Sequence, residues 1–191
     1  MHALIEWLLR IDRNAFEWVI LNANPAWLVD FAEAAGQTNL LFLVGCIALL
    51  MGFRYDIRKT LFAAGFVVIF LLLSEISVSF LKEFFARPRP GMQMGIYADP
   101  RGFSFPSAHS FNTAALAALV SLKLRRYHSL AWSIAILTGI CRVLANYHFP
   151  LDVFAGWILG ASFTVFVLGI IDFFIDYVQP AARVKLNLIQ H

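Results

Sequence analysis

Long uncharged runs separated by short charged links dominate the pattern of hydrophobic and polar positions. The first run, AAGQTNLLFLVGCIALLMGF at residues 34–53, has about the 20 apolar residues that a helix needs to cross a hydrocarbon core. Four further runs predict spans at residues 60–81, 107–124, 129–147 and 151–176. We therefore predict an all-α fold, a polytopic membrane helix bundle with five transmembrane helices.

The segment before these spans, about residues 1–25, has a different pattern. Apolar side chains recur there at helical spacing opposite a charged face: Leu4, Trp7, Leu8, Ile11, Ala15, Trp18 and Val19. This pattern predicts an N-terminal amphipathic helix that lies in the membrane interface. If that helix inserts instead, the chain has six spans. The charges within the first twenty residues argue against a cleavable signal peptide.

Composition agrees with a membrane protein, since 60% of the 191 residues are hydrophobic and 14% are charged. No linker or repeat divides the chain, so residues 1–191 are expected to form a single domain. The net charge of +3 comes largely from loops and predicts no nucleic-acid partner. Cys46 and Cys141 both lie in apolar stretches, so a disulfide framework is not expected. The oligomeric state is not indicated.

Lysine and arginine positions predict the orientation of the spans in the inner (plasma) membrane. Three segments rich in these residues would share the cytoplasmic side: Arg54, Arg58 and Lys59; Lys123, Arg125 and Arg126; Arg183 and Lys185. The amphipathic helix, the loop 82–106 and the link 148–150 then lie on the periplasmic, extracytoplasmic face. That loop nevertheless carries Lys82, Arg87, Arg89 and Arg101, which indicates a bound anion.

The first candidate cluster is KEFFARPRP, in which Lys82 and Arg89 are separated by six residues. Pro88 and Pro90 are expected to stop the helix and extend the backbone before them. Arginine offers paired planar donors that match phosphate oxygens, and lysine offers a compact charge. A basic loop that faces lipid headgroups is the alternative interpretation.

The second cluster, FPSAH, opens the third predicted span. Ser107 is a predicted N-cap, where backbone amides and the positive end of a helix can bind an anion. His109 lies two residues further on and could donate a proton. The alternative is a histidine with a structural or interfacial role.

The third cluster is CRVLANYHFPLD. Arg142 lies near the end of an apolar span, where a guanidinium needs a partner or a polar cavity. His148 and Asp152 are four residues apart across Pro150, which fits the first turn of the fifth span, so the carboxylate can reach the imidazole. The pair could be an oriented nucleophile or base, or a structural hydrogen bond. The predicted spans bring all three clusters to one membrane face, and together they contain the groups needed for metal-free phosphoryl transfer.

These residues resemble the type 2 phosphatidic acid phosphatases, which share a site with vanadium haloperoxidases and bacterial acid phosphatases. The family pattern is K-x6-R-P, then P-S-G-H, then S-R-x5-H-x3-D. All spacings are kept, and the matching residues lie between 82 and 152: Lys82, Arg89, Pro90, Pro106, Ser107, His109, Arg142, His148 and Asp152.

The resemblance implies a role for each matched residue. His148 would attack phosphorus to give a phosphohistidine, Asp152 would orient it, and His109 would protonate the leaving oxygen. Four residues would hold the phosphoryl oxygens: Lys82, Arg89, Ser107 and Arg142. No cofactor or metal is implied.

Some residues depart from the pattern or lie outside it. Ala108 replaces a glycine and should be tolerated if it is helical. Cys141 replaces a serine and removes a hydroxyl. Arg87 is expected to have a surface role or to steer anionic headgroups. Glu75 is expected to form a hydrogen bond inside the bundle.

The sequence therefore predicts a lipid phosphatase whose partners are membrane lipids and a lipid phosphate or lipid pyrophosphate substrate. Undecaprenyl pyrophosphate, phosphatidylglycerol phosphate, phosphatidate and lipid A phosphate all offer the required group. A lipid phosphotransferase is one alternative. A lipid-phosphate binder or transporter without catalysis is another, although it would not need an oriented nucleophile and a separate acid.

Overall fold

The computed structural model describes residues 2–23, 25–36, 57–93 and 102–178. Every regular element in these ranges is a helix, which confirms the predicted all-α class for them. The elements are α1 (His2–Ala23), α2 (Ala26–Gly36), α3 (Ile57–Phe85), α4 (Pro90–Gln93), α5 (Ala108–Lys123), a short 3-10 helix (Arg125–Tyr127), α6 (His128–Leu144) and α7 (Pro150–Val178).

Three stretches among the described residues are long and apolar enough to cross a membrane. They are Ala64–Phe85 in α3, Arg125–Leu144 in the 3-10 helix and α6, and Pro150–Phe174 in α7. They agree with the second, fourth and fifth predicted spans. Helix α5, with 16 residues, occupies the third. The first predicted span, residues 34–53, lies almost entirely outside the described residues, so the number of five spans stays a prediction.

The surfaces of α3, α6 and α7 are strongly apolar. Large exposed side chains occur along all three helices, such as Phe80 on α3, Leu137 on α6 and Phe166 on α7. In water such a surface would be an aggregation hazard, whereas in a bilayer it has the polarity of the surrounding lipid chains. The outward apolar faces therefore agree with membrane insertion.

Helix α5 is the most enclosed of these helices and packs against α3, α6 and α7. On its α3 side, Phe70 and Leu71 bury themselves against Ala115 and Leu119 of α5. The small side chain of Ala115 belongs to the same apolar cluster as the phenyl ring of Phe70, so hydrocarbon groups pack this part of the contact.

Helices α5 and α7 approach each other closely at two glycines of α7. A Cβ atom at Gly160 would stand 2.1 Å from the carbonyl oxygen of Phe111, and one at Gly156 would stand 2.8 Å from that of Ser107. One turn further along α7, the Thr164 hydroxyl donates to the Ala115 carbonyl at 2.8 Å. Small residues at a spacing of four thus let the backbones touch, as in other membrane helix pairs. The sequence GWILG at residues 156–160 contains this signal, which the sequence analysis missed.

Helix α1 packs across the start of α7 and against α6. Its buried side chains are Asp12 and Phe16, whereas its large apolar residues, including Trp7 and Trp18, are exposed. Most side chains of α1, apolar and charged, are therefore exposed, and large exposed apolar side chains suit a membrane surface. Helix α1 covers most of the predicted segment 1–25, and its amphipathic, interfacial character stays a prediction.

Candidate active site

The turn that delivers His148 follows the end of α6. The Asn146 N–H donates to the Val143 carbonyl at 3.0 Å, and the Tyr147 N–H donates to the Arg142 carbonyl at 3.2 Å. Asn146 has a φ of 61°. This pair of bonds around a left-handed residue is a Schellman motif, and asparagine tolerates that conformation better than most residues. The motif reverses the chain and brings His148 close to Arg142 in the fold.

His148 and Asp152 lie on either side of the first residue of α7, Pro150, as predicted. The imidazole is 2% exposed and the carboxylate is fully buried. His148 Nδ1 stands 3.7 Å from Asp152 Oδ2, a distance longer than a hydrogen bond. Asp152 Oδ2 accepts instead from the backbone N–H of Phe149 at 2.9 Å. The predicted pairing is therefore present as a close approach of the two groups.

Burial lowers the pKa of His148 to about 4, because the imidazolium loses its hydration. The Asp152 carboxylate acts in the opposite direction and raises the pKa, while the positive charges of Arg89 and Lys82 lower it. At neutral pH the ring is therefore uncharged, and one of its nitrogens carries a free lone pair.

Ser107 is the N-cap of α5, as predicted, with φ −66° and ψ 114°. Its hydroxyl oxygen accepts from the Ser110 N–H at 3.4 Å and from the Ser110 hydroxyl at 3.1 Å. Its own backbone N–H donates to the Asp152 carbonyl at 3.0 Å. Ala108 is the first residue of α5 and is helical, so the alanine in place of the family's glycine meets no backbone conflict.

His109 lies in the first turn of α5, and its side chain is exposed. Its imidazole interacts electrostatically with four charged or titratable side chains: Arg142, His148, Lys82 and Arg89. The structure thus places His109 at the open side of a cluster drawn from all three sequence motifs.

The first cluster occupies the break between α3 and α4. Helix α3 ends at Phe85, before Pro88, and Ala86 has a φ of 45°. The prediction that both prolines stop a helix is wrong for Pro90, which begins the short helix α4. The first helical position tolerates proline because its N–H has no partner within the helix.

Lys82 and Arg89 connect this break to the other two clusters. Lys82 Nζ donates to the Phe103 carbonyl at 3.1 Å, and Arg89 Nε donates to the Gly102 carbonyl at 3.2 Å, both just before α5. Arg89 Nη1 reaches the Tyr147 carbonyl, beside His148, at 3.4 Å. The structure therefore brings the predicted cations together.

Arg142 is the most enclosed cation of the site, with 6% of its surface exposed. Within the described part of the chain, its Nε and Nη2 atoms are buried and form no hydrogen bond. Its guanidinium carbon is 5.7 Å from the centre of the Tyr147 ring. Buried guanidinium N–H groups without acceptors are costly, so the chemistry of this position favours an anion.

Arg87 does not have the surface role that the sequence analysis expected. Its Nη1 atom donates to Asp152 Oδ1 and its Nη2 atom donates to Asp12 Oδ2, both at 2.6 Å. The expectation failed because no sequence pattern placed a carboxylate of α1 beside this loop. Asp12 was missed for the same reason, since a lone aspartate on the polar face of a helix carries no signal.

Glu75 has the intramolecular partner that was expected. Asn112 Nδ2 of α5 donates to Glu75 Oε2 at 2.6 Å, and Asn112 Oδ1 accepts from the Ser74 hydroxyl at 2.5 Å. The three side chains thus satisfy one another between α3 and α5. Cys141 is a free, half-buried thiol, and no role for it follows from its surroundings.

The described residues define a helical membrane protein with a cationic, histidine-containing centre where α3 ends, α5 begins, and α6 gives way to α7. The model of the PAP2 superfamily matches residues 61–176. The chain belongs to this superfamily, which confirms the resemblance to type 2 phosphatidic acid phosphatases.

Individual relatives agree with this assignment. A lipid A 4'-phosphatase of Porphyromonas gingivalis is 28% identical over 82% of this chain and 71% of its own length. Phosphatidylglycerophosphatase B of Bacillus subtilis is 30% identical over 67% of both chains.

Solved structures agree as well. The transmembrane PAP2 type phosphatidylglycerolphosphate phosphatase of Bacillus subtilis has a TM-score of 0.67 at 26% identity, over 86% of each chain. Aquifex aeolicus LpxE has a TM-score of 0.59 at 27% identity, over 84% of this chain and 94% of its own. These relatives support a multi-pass membrane protein with phosphatase activity.

Proposed function

We propose that this protein is an integral membrane lipid phosphatase that hydrolyses a phosphate monoester or pyrophosphate through a phosphohistidine at His148. The observation that carries the proposal is the arrangement around that ring. Asp152 faces Nδ1, the pKa of about 4 leaves the imidazole neutral, and the buried guanidinium of Arg142 has donors to spare. A neutral nucleophile beside cations suits attack on a phosphate that already carries negative charge.

The reaction proceeds in two steps. His148 Nε2 forms a bond to phosphorus while the bond from phosphorus to the lipid oxygen breaks, and His109 gives that oxygen its proton. Asp152 stabilises the positive ring that results. Water, deprotonated by His109, then attacks the phosphohistidine and releases phosphate. Four residues would bind the phosphoryl oxygens and stabilise their developing charge: Lys82, Arg89, Ser107 and Arg142. None of these steps uses a metal.

The relatives support the proposed substrate class, and the predicted orientation supports the proposed membrane face. The named relatives act on lipid A phosphate and phosphatidylglycerol phosphate, which are both phosphate monoesters of lipids. Phosphatidate is another such monoester, and undecaprenyl pyrophosphate presents a terminal phosphoryl group whose bond to the bridging oxygen would break, with the lipid monophosphate as the leaving group. The excess of lysine and arginine in the other loops supports a site on the periplasmic face of the inner membrane.

Phosphate release by the purified protein tests the proposal. Lipid monophosphates and isoprenoid pyrophosphates would be assayed in EDTA, with His148→Ala as the matched inactive variant. Release that persists in EDTA and disappears in the variant is the expected result. If His148→Ala retains full turnover, the phosphohistidine mechanism is wrong.

Product analysis separates hydrolysis from the two alternatives. Transfer of the labelled phosphoryl group to an added acceptor lipid, without free phosphate, would establish a phosphotransferase. Lipid binding without release of phosphate from any lipid would establish a binder or transporter.

A further inference from the structure

Both oxygens of the Asp152 carboxylate are held by partners other than His148. Oδ2 accepts from the Phe149 N–H at 2.9 Å, and Oδ1 accepts from Arg87 at 2.6 Å. With one bond on each oxygen, the carboxylate cannot rotate about its own axis without breaking a contact. Its position relative to the His148 ring is therefore set by Arg87 as much as by α7.

Arg87 is itself held from the other side by α1. Its second terminal nitrogen donates to Asp12 Oδ2 at 2.6 Å, and Asp12 Oδ1 accepts from the Leu151 N–H at 2.7 Å. The side chains of Arg87, Asp12 and Asp152 are 15%, 4% and 0% exposed. Asp12 thus closes a ring of contacts through Arg87, Asp152 and the first turn of α7, largely shielded from solvent.

Aromatic packing holds the same ring of contacts from a second direction. The Arg87 guanidinium carbon lies 4.1 Å from the centre of the Phe149 ring. Phe16, one turn after Asp12 on α1, packs edge-on against that ring with 5.2 Å between centres. Phe16 therefore packs against the ring that immediately follows His148, and Asp12 binds the guanidinium that lies over the same ring.

The negative charge of Asp12 also affects Asp152 through Arg87. Arg87 lies between two carboxylates, so its positive charge is shared between them. Without the charge of Asp12, Arg87 would neutralise Asp152 more completely, and Asp152 would stabilise a positive imidazole less well. Because the interaction is largely buried, solvent screens it less than it would a surface pair.

We propose that Asp12 and Arg87 are positioning residues that act on His148 through Asp152, so that helix α1 is part of the catalytic apparatus. The effect on turnover rests on the function proposed above. Asp12 lies outside the three motifs, Arg87 occupies one of the variable positions between Lys82 and Arg89 in the first, and neither is expected to touch the phosphate. Their loss should therefore slow the chemical step and leave substrate binding almost unchanged.

A double-mutant cycle with Asp12→Asn and Asp152→Asn tests this proposal. Asparagine keeps the shape of Asp12 and one acceptor oxygen but removes the charge. We expect Asp12→Asn to lower kcat about tenfold, with KM and inhibition by inorganic phosphate changed less than about twofold. In the Asp152→Asn background the same substitution should have almost no further effect. Glu17→Gln, a matched loss of charge on α1, should behave as the original protein.

Three results would overturn the proposal. These are an unchanged kcat in Asp12→Asn, a loss that appears only in KM, and a full loss that recurs in the Asp152→Asn background. The last would mean that Asp12 acts independently of Asp152.

The nitrogen NMR signals of the His148 ring provide a readout that does not need turnover. The signals would be assigned with His148→Ala. Asp12→Asn should shift them, and Glu17→Gln should not. If no lipid is hydrolysed but the signals shift, the proposed function fails and the positioning role stands. If the signals of Asp12→Asn match those of the original protein, the positioning role is wrong.

Discussion

Ser107 donates its backbone N–H to the backbone carbonyl of Asp152 at 3.0 Å, so the first turns of α5 and α7 share a hydrogen bond. This bond fixes the predicted phosphate-binding N-cap relative to the carboxylate behind His148. Gly156 permits it, since its missing side chain leaves room for the Ser107 carbonyl. The separation between the Ser107 N-cap and Asp152 is thus set by a backbone contact that tolerates little adjustment.

Gly160→Ala should weaken the bundle, because the added Cβ would meet the Phe111 carbonyl at 2.1 Å and separate α5 from α7. We expect a loss of about 2 kcal/mol in the free energy of unfolding, typical of an overpacked interior, together with reduced turnover. Unfolding in detergent would measure it. Gly169→Ala is the control, because nothing lies within 4 Å of its Cβ position. Equal stability of the two variants would refute the close-contact argument.

The left-handed backbone of Asn146 predicts an unusual order of stabilities. Both Asn146→Gly and Asn146→Ala remove the side-chain amide, but alanine should be less stable by about 1 kcal/mol because its Cβ is strained at positive φ. Ser133 on the exposed face of α6 should show the opposite order, since alanine favours a helix interior. The free energies of unfolding of the four variants, with glycine or alanine at each of the two positions, test both orders. Alanine equal to or better than glycine at residue 146 would contradict the proposed role of the turn.

Arg142→Lys should lower kcat/KM by about 100-fold, the loss typical of one misplaced donor to transition-state charge. The lysine keeps the charge but loses the planar, paired donors of the guanidinium. Phosphate release from the best substrate of the panel is the measurement. Arg126→Lys, on the exposed 3-10 helix, provides the same exchange away from the site and should be neutral. Full activity of Arg142→Lys would show that the position needs only a positive charge.

The low pKa of His148 predicts a stability change in mildly acidic solution. The unfolded chain binds a proton at the usual histidine pKa of about 6.5, whereas the folded protein resists protonation down to about 4. The neutral ring therefore makes its full contribution to the free energy of unfolding above pH 6.5, and this contribution is lost as the pH falls towards 4. Unfolding measured across this window should show a steeper loss in the original protein than in His148→Gln. If the unfolding free energies of the two proteins depend on pH in the same way, the pKa of the buried ring is not lowered by folding.

The sequence was sufficient for the family, the helical class and the three motifs of the site. Apolar runs long enough to cross a bilayer leave few folds, because every backbone polar group must be satisfied within the span. The N-cap at Ser107 and the position of Pro150 at the start of α7 were readable because both depend on local backbone chemistry. The spacing of His148 and Asp152 was sufficient to predict that they face each other.

Only the tertiary structure decided which carboxylates and cations meet. Asp12 lies 75 residues before Arg87 in the chain, and their contact depends on how α1 packs across α7. Hydropathy records which face of a helix is apolar, but it contains no information about the partner of a single buried charge. The sequence by itself therefore determined which chemical groups the three motifs contain, whereas long-range packing decided how Asp152 is held, because that contact joins parts of the chain with no shared pattern.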